Sequence, residues 1–347
     1  PRGACILTTD AALARKIDRA VFPGEQGGPH VQVFAALATT FMIAQTEKFQ
    51  KLQAQIIQNN QVLTNRLKER GLTISYGGTN THLSNVNCRT IVGPDGTTLS
   101  GDLAARILDI AGIVLNRNTI PGDKTALNAT GIRFGTPWMT QRGLGPDEMI
   151  KVADVMADVL LATTPYSIET RKGPAARAKV DFNVLEDAKL RVRELAEAAG
   201  IDTGAKRTSG YPHYYFLDDT FTSRNGKTAL RLEGEQLTQF INYAFSSDAE
   251  ALQPGESQKT SLTTPQEVVE GTLTFVEEGQ YLLTVPAEKA GLAATWLRAL
   301  SDGYVGFDPD LTRRLPGPIL VTEAEPVEME PVEGEPVGER KPYFMGI

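Results

Sequence analysis

Thr130-Gly131-Ile132-Arg133-Phe134-Gly135-Thr136-Pro137 is the stretch on which the fold turns. A short apolar run bounded by glycines predicts a strand. Alternation in a strand puts Ile132 and Phe134 on one face and Arg133 on the other. An arginine in that place either lies on a solvated face or reaches into a cleft to clamp a carboxylate through two parallel hydrogen bonds. On the bare pattern the two readings stand level.

Working outward, helix and strand signals alternate. Upstream, Ser100 caps an amphipathic helix carrying Leu103, Ile107 and Ile110, which Gly112 ends. Before it come two strand candidates, Leu72–Tyr76 and His82–Cys88, around Gly77-Gly78. A long helical region from about His30 to Arg70 precedes these, with a break expected near Thr46. Asp10 caps the first helix, marked by Leu13, Ile17 and Val21 and stopped at Phe22-Pro23-Gly24. Downstream, Pro146 occupies a first helical position, and Met149, Val152, Met156 and Val159 form one inward stripe to about Leu161.

The basic, weakly periodic stretch 163–179 reads as a linker, with the boundary region taken as 163–182. A helix from Asn183 to Ala199 follows. Strands are then expected at Thr228–Leu232, Ser257–Thr263, Val268–Val276 and Tyr281–Val285, interrupted by helices at Glu235–Phe245 and Glu288–Leu300. This is an α+β pattern. Glu278-Gly279 predicts a hairpin. The repeated Glu-Pro-Val triplets at 325, 330 and 335 predict an extended, solvated spacer within 321–347.

The chain has 347 residues and a formal net charge of −7. Two or three domains fit that length. The negative balance disfavours a phosphate backbone as partner. Cys5 and Cys88 do not make a disulfide framework, and a cytoplasmic setting is the default. Cys5, in an apolar run, is expected in a core. His30, His82 and His213 are too scattered for a metal site. The aromatic run Gly210–Phe216 either lines a ligand pocket or forms a half-buried strand, with the strand favoured. Phe22-Pro23-Gly24-Glu25-Gln26-Gly27-Gly28-Pro29 is either a phosphate-cradling nest or a plain turn, with the turn favoured on pattern alone.

Five ordered segments together resemble serine hydroxymethyltransferase. They are Pro1-Arg2-Gly3; Val21-Phe22-Pro23 with Gln26-Gly27-Gly28-Pro29; Gly77-Gly78-Thr79-Asn80 with His82-Leu83; Asn116–Pro121; and Thr130–Pro137. The resemblance covers about residues 1–161. It implies an α/β, aspartate-aminotransferase-like fold (fold type I) using pyridoxal 5'-phosphate, with tetrahydrofolate as cosubstrate. Residues 1–60 would end the cofactor-binding large domain, and 61–162 would form the small C-terminal α+β domain. It further implies that Arg133 binds the carboxylate of serine or glycine. Gly27 and Gly28 would offer backbone N–H groups to the cofactor phosphate of the neighbouring subunit in a homodimer, and Arg2 would lie near the cofactor. The family's Schiff-base lysine is expected a few residues before Pro1, so no residue here is assigned as catalytic and the chain alone is expected to be inactive. Gly122 stands where several relatives carry a larger polar residue near the folate.

The second half resembles the start of the glycine-cleavage aminomethyltransferase, the T-protein. The resemblance rests on Leu232-Glu233-Gly234, Phe240–Tyr243, Asp248, Leu252–Gly255, Tyr281–Leu283 and Trp296-Leu297, with Lys341–Phe344 resembling a later segment cut short. It implies an α+β domain over 183–320 related to folate binding. That family's aspartate pair is replaced here by Val269-Glu270-Gly271, which favours a non-catalytic role in holding folate or a partner.

Overall fold

The computed structural model describes residues 3–203 and 214–324. Arg2, the Glu-Pro-Val repeats and Lys341–Phe344 lie outside the described residues.

The N-terminal layer is helical. Helix α1 (Ala11–Arg19) starts where the Asp10 carboxylate accepts from the backbone N–H groups of Ala12 and Leu13. A wide turn, Ala20–Glu25, breaks it at Phe22 and Pro23. Helix α2 (Val31–Ala44) follows, then α3 (Glu47–Glu69), with Thr46 capping α3 at the expected break. None of residues 3–55 is buried, although Phe34, Phe41, Met42 and Ile43 are large and apolar. Cys5 shares this exposure, contrary to the expectation of a core thiol, because the apolar run around it is itself on the surface, with Ile6 and Leu7 exposed.

The middle unit closes around the second half of α3. Strand β1 (Leu83–Asn87), helix α4 (Gly101–Ile110), β2 (Asn116–Asn118), β3 (Gly131–Gly135), the short α5 (Pro137–Gln141) and α6 (Pro146–Leu161) complete it. The antiparallel sheet has the order β1-β3-β2. Val86 and Ile132 are paired partners, and both are fully buried. Leu72–Tyr76 is not a second strand. Ile74 makes one bridge to Val86, and the chain then turns through Ser75–Gly77, with Tyr76 at φ 62°. The adjacent Gly77-Gly78 pair favours the turn over extension.

The expected linker is a β-hairpin. Strands β4 (Thr163–Thr170) and β5 (Gly173–Val180) pair in register from Thr163 with Val180 to Thr170 with Gly173. Tyr166, Ala178 and Val180 are buried. The basic pair Arg171-Lys172 sits at the tip, so charge that suggested a solvated linker marks a turn instead.

Helix α7 (Phe182–Ala198) follows, capped by Asp181. Then come β6 (Lys227–Glu233), α8 (Leu237–Ala244), β7 (Ser257–Thr263), β8 (Val268–Glu277), β9 (Gln280–Pro286), α9 (Ala290–Asp302) and β10 (Leu320–Ala324). The second sheet is antiparallel, ordered β10-β6-β9-β8-β7. Strand β10 corrects the expected spacer at its start: Ile319 and Val321 are buried as 320–324 pairs with β6. The described end of the aromatic run, Tyr214–Phe216, is irregular rather than a strand. Its aromatic rings are used to clip the segment onto α7 and α4, as described below.

One continuous hydrophobic core runs from Leu63 to Val321, through both sheets and the helices between them. Among the described residues, no helix is long and apolar enough to cross a membrane.

Candidate functional site

Arg133 stands at the centre of β3, the middle strand of the first sheet. Its neighbours Ile132 and Phe134 turn inward, while Arg133 is exposed on the opposite face. The alternation expected from sequence is therefore realised. In register, Arg133 lies opposite Asn85 of β1 on one side and Asn116 of β2 on the other. Paired residues of neighbouring strands project from the same face. An Asn-Arg-Asn row therefore crosses the three strands. Arg133 makes no hydrogen bond or ion pair among the described residues.

The glycines flanking Arg133 are required by close approach. A Cβ at Gly131 would lie 2.4 Å from Ile120 Cγ2 and 2.9 Å from the Asn118 carbonyl oxygen. A Cβ at Gly135 would lie 2.7 Å from the His82 carbonyl oxygen. Neighbouring backbone thus presses on both ends of the strand and fixes where Arg133 emerges.

Two polar clusters hold the surrounding loops. Behind β1, the hydroxyls of Thr64 and Ser84 are 2.8 Å apart, and the Ser84 hydroxyl donates to Asn60 Oδ1 at 3.3 Å. Asn60 Nδ2 donates to the Thr81 carbonyl at 2.9 Å, tying the Gly77–His82 loop to α3. On the other side, Asp123 accepts from the backbone N–H groups of Ile120 and Thr130, both at 3.0 Å, and from the Thr130 hydroxyl. Burial alone would raise the Asp123 carboxyl. The Thr130 and Ile120 hydrogen bonds, with Arg89 nearby, outweigh it and hold the group below the usual carboxylate range.

Gly122 has φ +95°, and its missing side chain leaves room for Arg89, whose Nη1 lies 2.9 Å from where a Cβ would stand. Arg89 also donates to the Pro121 carbonyl at 2.7 Å. A polar group near this position is thus supplied from the turn after β1 instead of from residue 122.

The glycine loop is fully exposed, and a Cβ at Gly27 or Gly28 would meet nothing within 4 Å. Its backbone is open to a ligand from outside. No hydrogen bond among the described residues joins it to Arg133. Cys88 is buried, and burial pushes its thiol up to about 12, which makes it an inert packing group. Glu270 is exposed on β8, opposite Ser261 of β7.

Sequence reasoning missed Asn85, Asn116 and Asp123. The signal for Asn85 was present: the alternation in Leu83–Asn87 that sends Ser84 and Val86 inward sends Asn85 to the other face. Its pairing with Arg133 depends on strand register, which the sequence did not show.

A mixed helix-and-sheet unit that aims an unpaired arginine from a glycine-flanked central strand is suited to binding a carboxylated ligand. The family model described as serine hydroxymethyltransferase matches residues 6–156. Serine hydroxymethyltransferase from Rhizorhabdus wittichii is 41% identical over 198 residues, covering 57% of this chain and 42% of that protein. The enzyme of the same name from Zymomonas mobilis is 47% identical over 161 residues, covering 46% and 36%. That from Rickettsia canadensis is 45% identical over 161 residues, covering 46% and 37%. The chain spans about two fifths of the length of these curated relatives.

Proposed function

We propose that this chain supplies the substrate-carboxylate-binding part of a pyridoxal-phosphate-dependent serine hydroxymethyltransferase, which interconverts serine and glycine with tetrahydrofolate as the one-carbon acceptor. The observation that carries the proposal is Arg133, exposed on the central strand with no carboxylate paired to it among the described residues. A guanidinium fork held this way matches a substrate carboxylate in two parallel hydrogen bonds. Identity above 40% to enzymes of that name supports the same reading, as does the family match over residues 6–156, which include Arg133.

The exposed backbone of Gly27 and Gly28 fits a phosphate group, since nothing crowds it and successive N–H groups bind anions. Arg2 belongs to the same proposed cofactor surroundings. When bound, the cofactor serves as the electron sink for the substrate's carbon centre. The role of this chain's own residues is to bind and orient: Arg133 fixes the carboxylate, and Asp123 and Asn60 hold the loops on either side. The exposed apolar faces of α2 and the segment before α1 fit burial against the large domain or a second subunit, as a homodimer sharing its sites requires. Activity on this reading belongs to the complete polypeptide, with the Schiff-base lysine outside this sequence. A cytoplasmic location accords with its two free cysteines.

Arg133→Ala in the complete enzyme is expected to abolish serine binding while cofactor loading, read from its absorbance, is retained. An unchanged Michaelis constant for serine overturns the assignment.

A second reading concerns residues 183–320 as a T-protein-like, non-catalytic folate- or partner-binding module. The exposure of Glu270, where that family's acidic pair would stand, favours it over a second active site. Calorimetric titration of the whole chain with tetrahydrofolate, repeated on Glu270→Gln, decides between its arms: no binding heat, or heat that the substitution leaves unchanged, leaves partner docking.

A further inference from the structure

We infer that Asn85 is a positioning residue for Arg133, accepting one guanidinium N–H so that the opposite edge of the fork faces the substrate carboxylate. The inference rests on the reading of Arg133 as the carboxylate ligand and adds to it a residue that sets its aim.

Three observations converge. Asn85 lies directly opposite Arg133 in the β1–β3 ladder, so the two side chains leave the sheet side by side. The Asn85 side-chain oxygen is buried and has no hydrogen-bond partner among the described residues. Arg133 has five N–H donors and uses none of them among the described residues. A buried acceptor without a donor is costly and uncommon. The donor paired with it in register is the guanidinium.

The row is asymmetric. On the far side of Arg133, Asn116 is exposed, and its amide nitrogen donates to the Arg117 carbonyl at 2.7 Å. The buried acceptor left without a donor among the described residues is therefore on the β1 side. A guanidinium drawn to Asn85 by one N–H would keep its other edge free for two parallel bonds to a carboxylate. A neutral amide suits this task. A carboxylate at residue 85 would neutralise Arg133 and compete with substrate, and an aliphatic side chain would offer no acceptor.

The test uses the complete polypeptide carrying this sequence, loaded with pyridoxal phosphate, with glycine and serinamide as probes. Binding is measured by calorimetry, and thermal unfolding is measured alongside. Asn85→Leu is expected to weaken glycine binding roughly tenfold, the scale of one hydrogen bond to a charged group. Binding of serinamide, which has no carboxylate, should be unchanged. The melting temperature should hold or rise, because a buried unpaired oxygen has been removed. Asn85→Asp is expected to weaken glycine binding further than Asn85→Leu. Arg133→Lys serves as the control on the underlying reading. Parental glycine affinity in Asn85→Leu, with affinity lost in Arg133→Lys, overturns the role of Asn85 alone. Parental affinity in both overturns the role of Arg133 and the inference with it. If Asn85→Leu does not fold, Asn85→Ala answers the same question. Equal loss for glycine and serinamide marks a general disturbance of the site and also overturns the inference.

Discussion

At the residue scale, the site depends on what is absent around Arg133. Glycine on each side lets Ile120 and the His82 carbonyl close in, and the strand can emerge in one place only. Gly131→Ala forces Ile120 and the Asn118 carbonyl to move. It is expected to destabilise the protein by about 1–3 kcal/mol, the usual range for overpacking, measured by denaturant unfolding. On the proposed role of Arg133, two residues away, it should also weaken glycine binding. Asp123 acts at the same scale. Its carboxylate receives three hydrogen bonds, so Asp123→Ala strands two backbone N–H groups. A loss of about 2–6 kcal/mol is expected, from about 1–3 kcal/mol for each stranded group. The face Arg133 takes was legible from sequence, because an apolar-Arg-apolar triplet between glycines alternates as a strand; its role was not, since the pattern left a solvated face and a carboxylate clamp level. Asn85 was not, because its significance lies in its partner across the ladder.

At the scale of elements, α7 shows how the two halves are joined. Glu186 and Lys189 form a 2.7 Å ion pair with side chains 2% and 7% exposed. Lys189 lies 4.7 Å from the Tyr214 ring centre, and Arg193 pairs with Asp218 while lying 4.5 Å from the Phe216 ring centre. Tyr214 donates to the Ile110 carbonyl at 2.7 Å, so the segment is fastened to both α7 and α4. Burial raises the Glu186 carboxyl to about 7, against the opposing pull of Lys189. The folded state therefore binds this proton more tightly than the unfolded chain. Its contribution to stability is greatest below the ordinary glutamate range and declines as pH rises towards about 7. Glu186→Gln leaves Lys189 buried without its hydrogen-bonded counter-charge and is expected to cost about 3–5 kcal/mol above pH 7, where Glu186 is ionised. The double change Glu186→Gln with Lys189→Met should recover most of that loss. Chemical unfolding of the two single variants and the double variant checks this, and additive losses would refute it.

At the scale of the whole molecule, a chain of charges bridges α3, α6 and α7. Arg66 and Arg70 share Asp154 at 2.9 and 2.6 Å, Arg70 reaches Asp158 at 2.6 Å, and Asp158 holds Arg191 at 2.8 Å. Burial works against the charged form of both aspartates, yet their arginine hydrogen bonds hold them below the usual range. Their contribution is present above the ordinary aspartate range and is lost as pH falls through the folded values. With one core running through both halves, the described residues are expected to unfold in a single transition. Asp158→Ala should lower the midpoint by the equivalent of about 1–2 kcal/mol, since it removes two partly exposed pairs at once. Two separated transitions in the parent protein would overturn this view of one coupled body.

The sequence by itself determined the helices and most strands, because caps, breakers and hydrophobic periods act over a few residues. Asp10, Thr46, Ser100 and Asp181 each cap a helix in the structure. It also singled out Arg133 and the ordered segments that resemble one enzyme family. Tertiary structure decided what depends on partners distant in the chain. The basic 163–179 stretch became a hairpin because each arm finds the other, and 320–324 became an edge strand because β6 offered a free side. Asn85 came to face Arg133 because register, set by the buried Val86–Ile132 pair, leaves their neighbours on the opposite face together. Local chemistry fixes an element's type, whereas the neighbours of a side chain are fixed by packing across the whole chain.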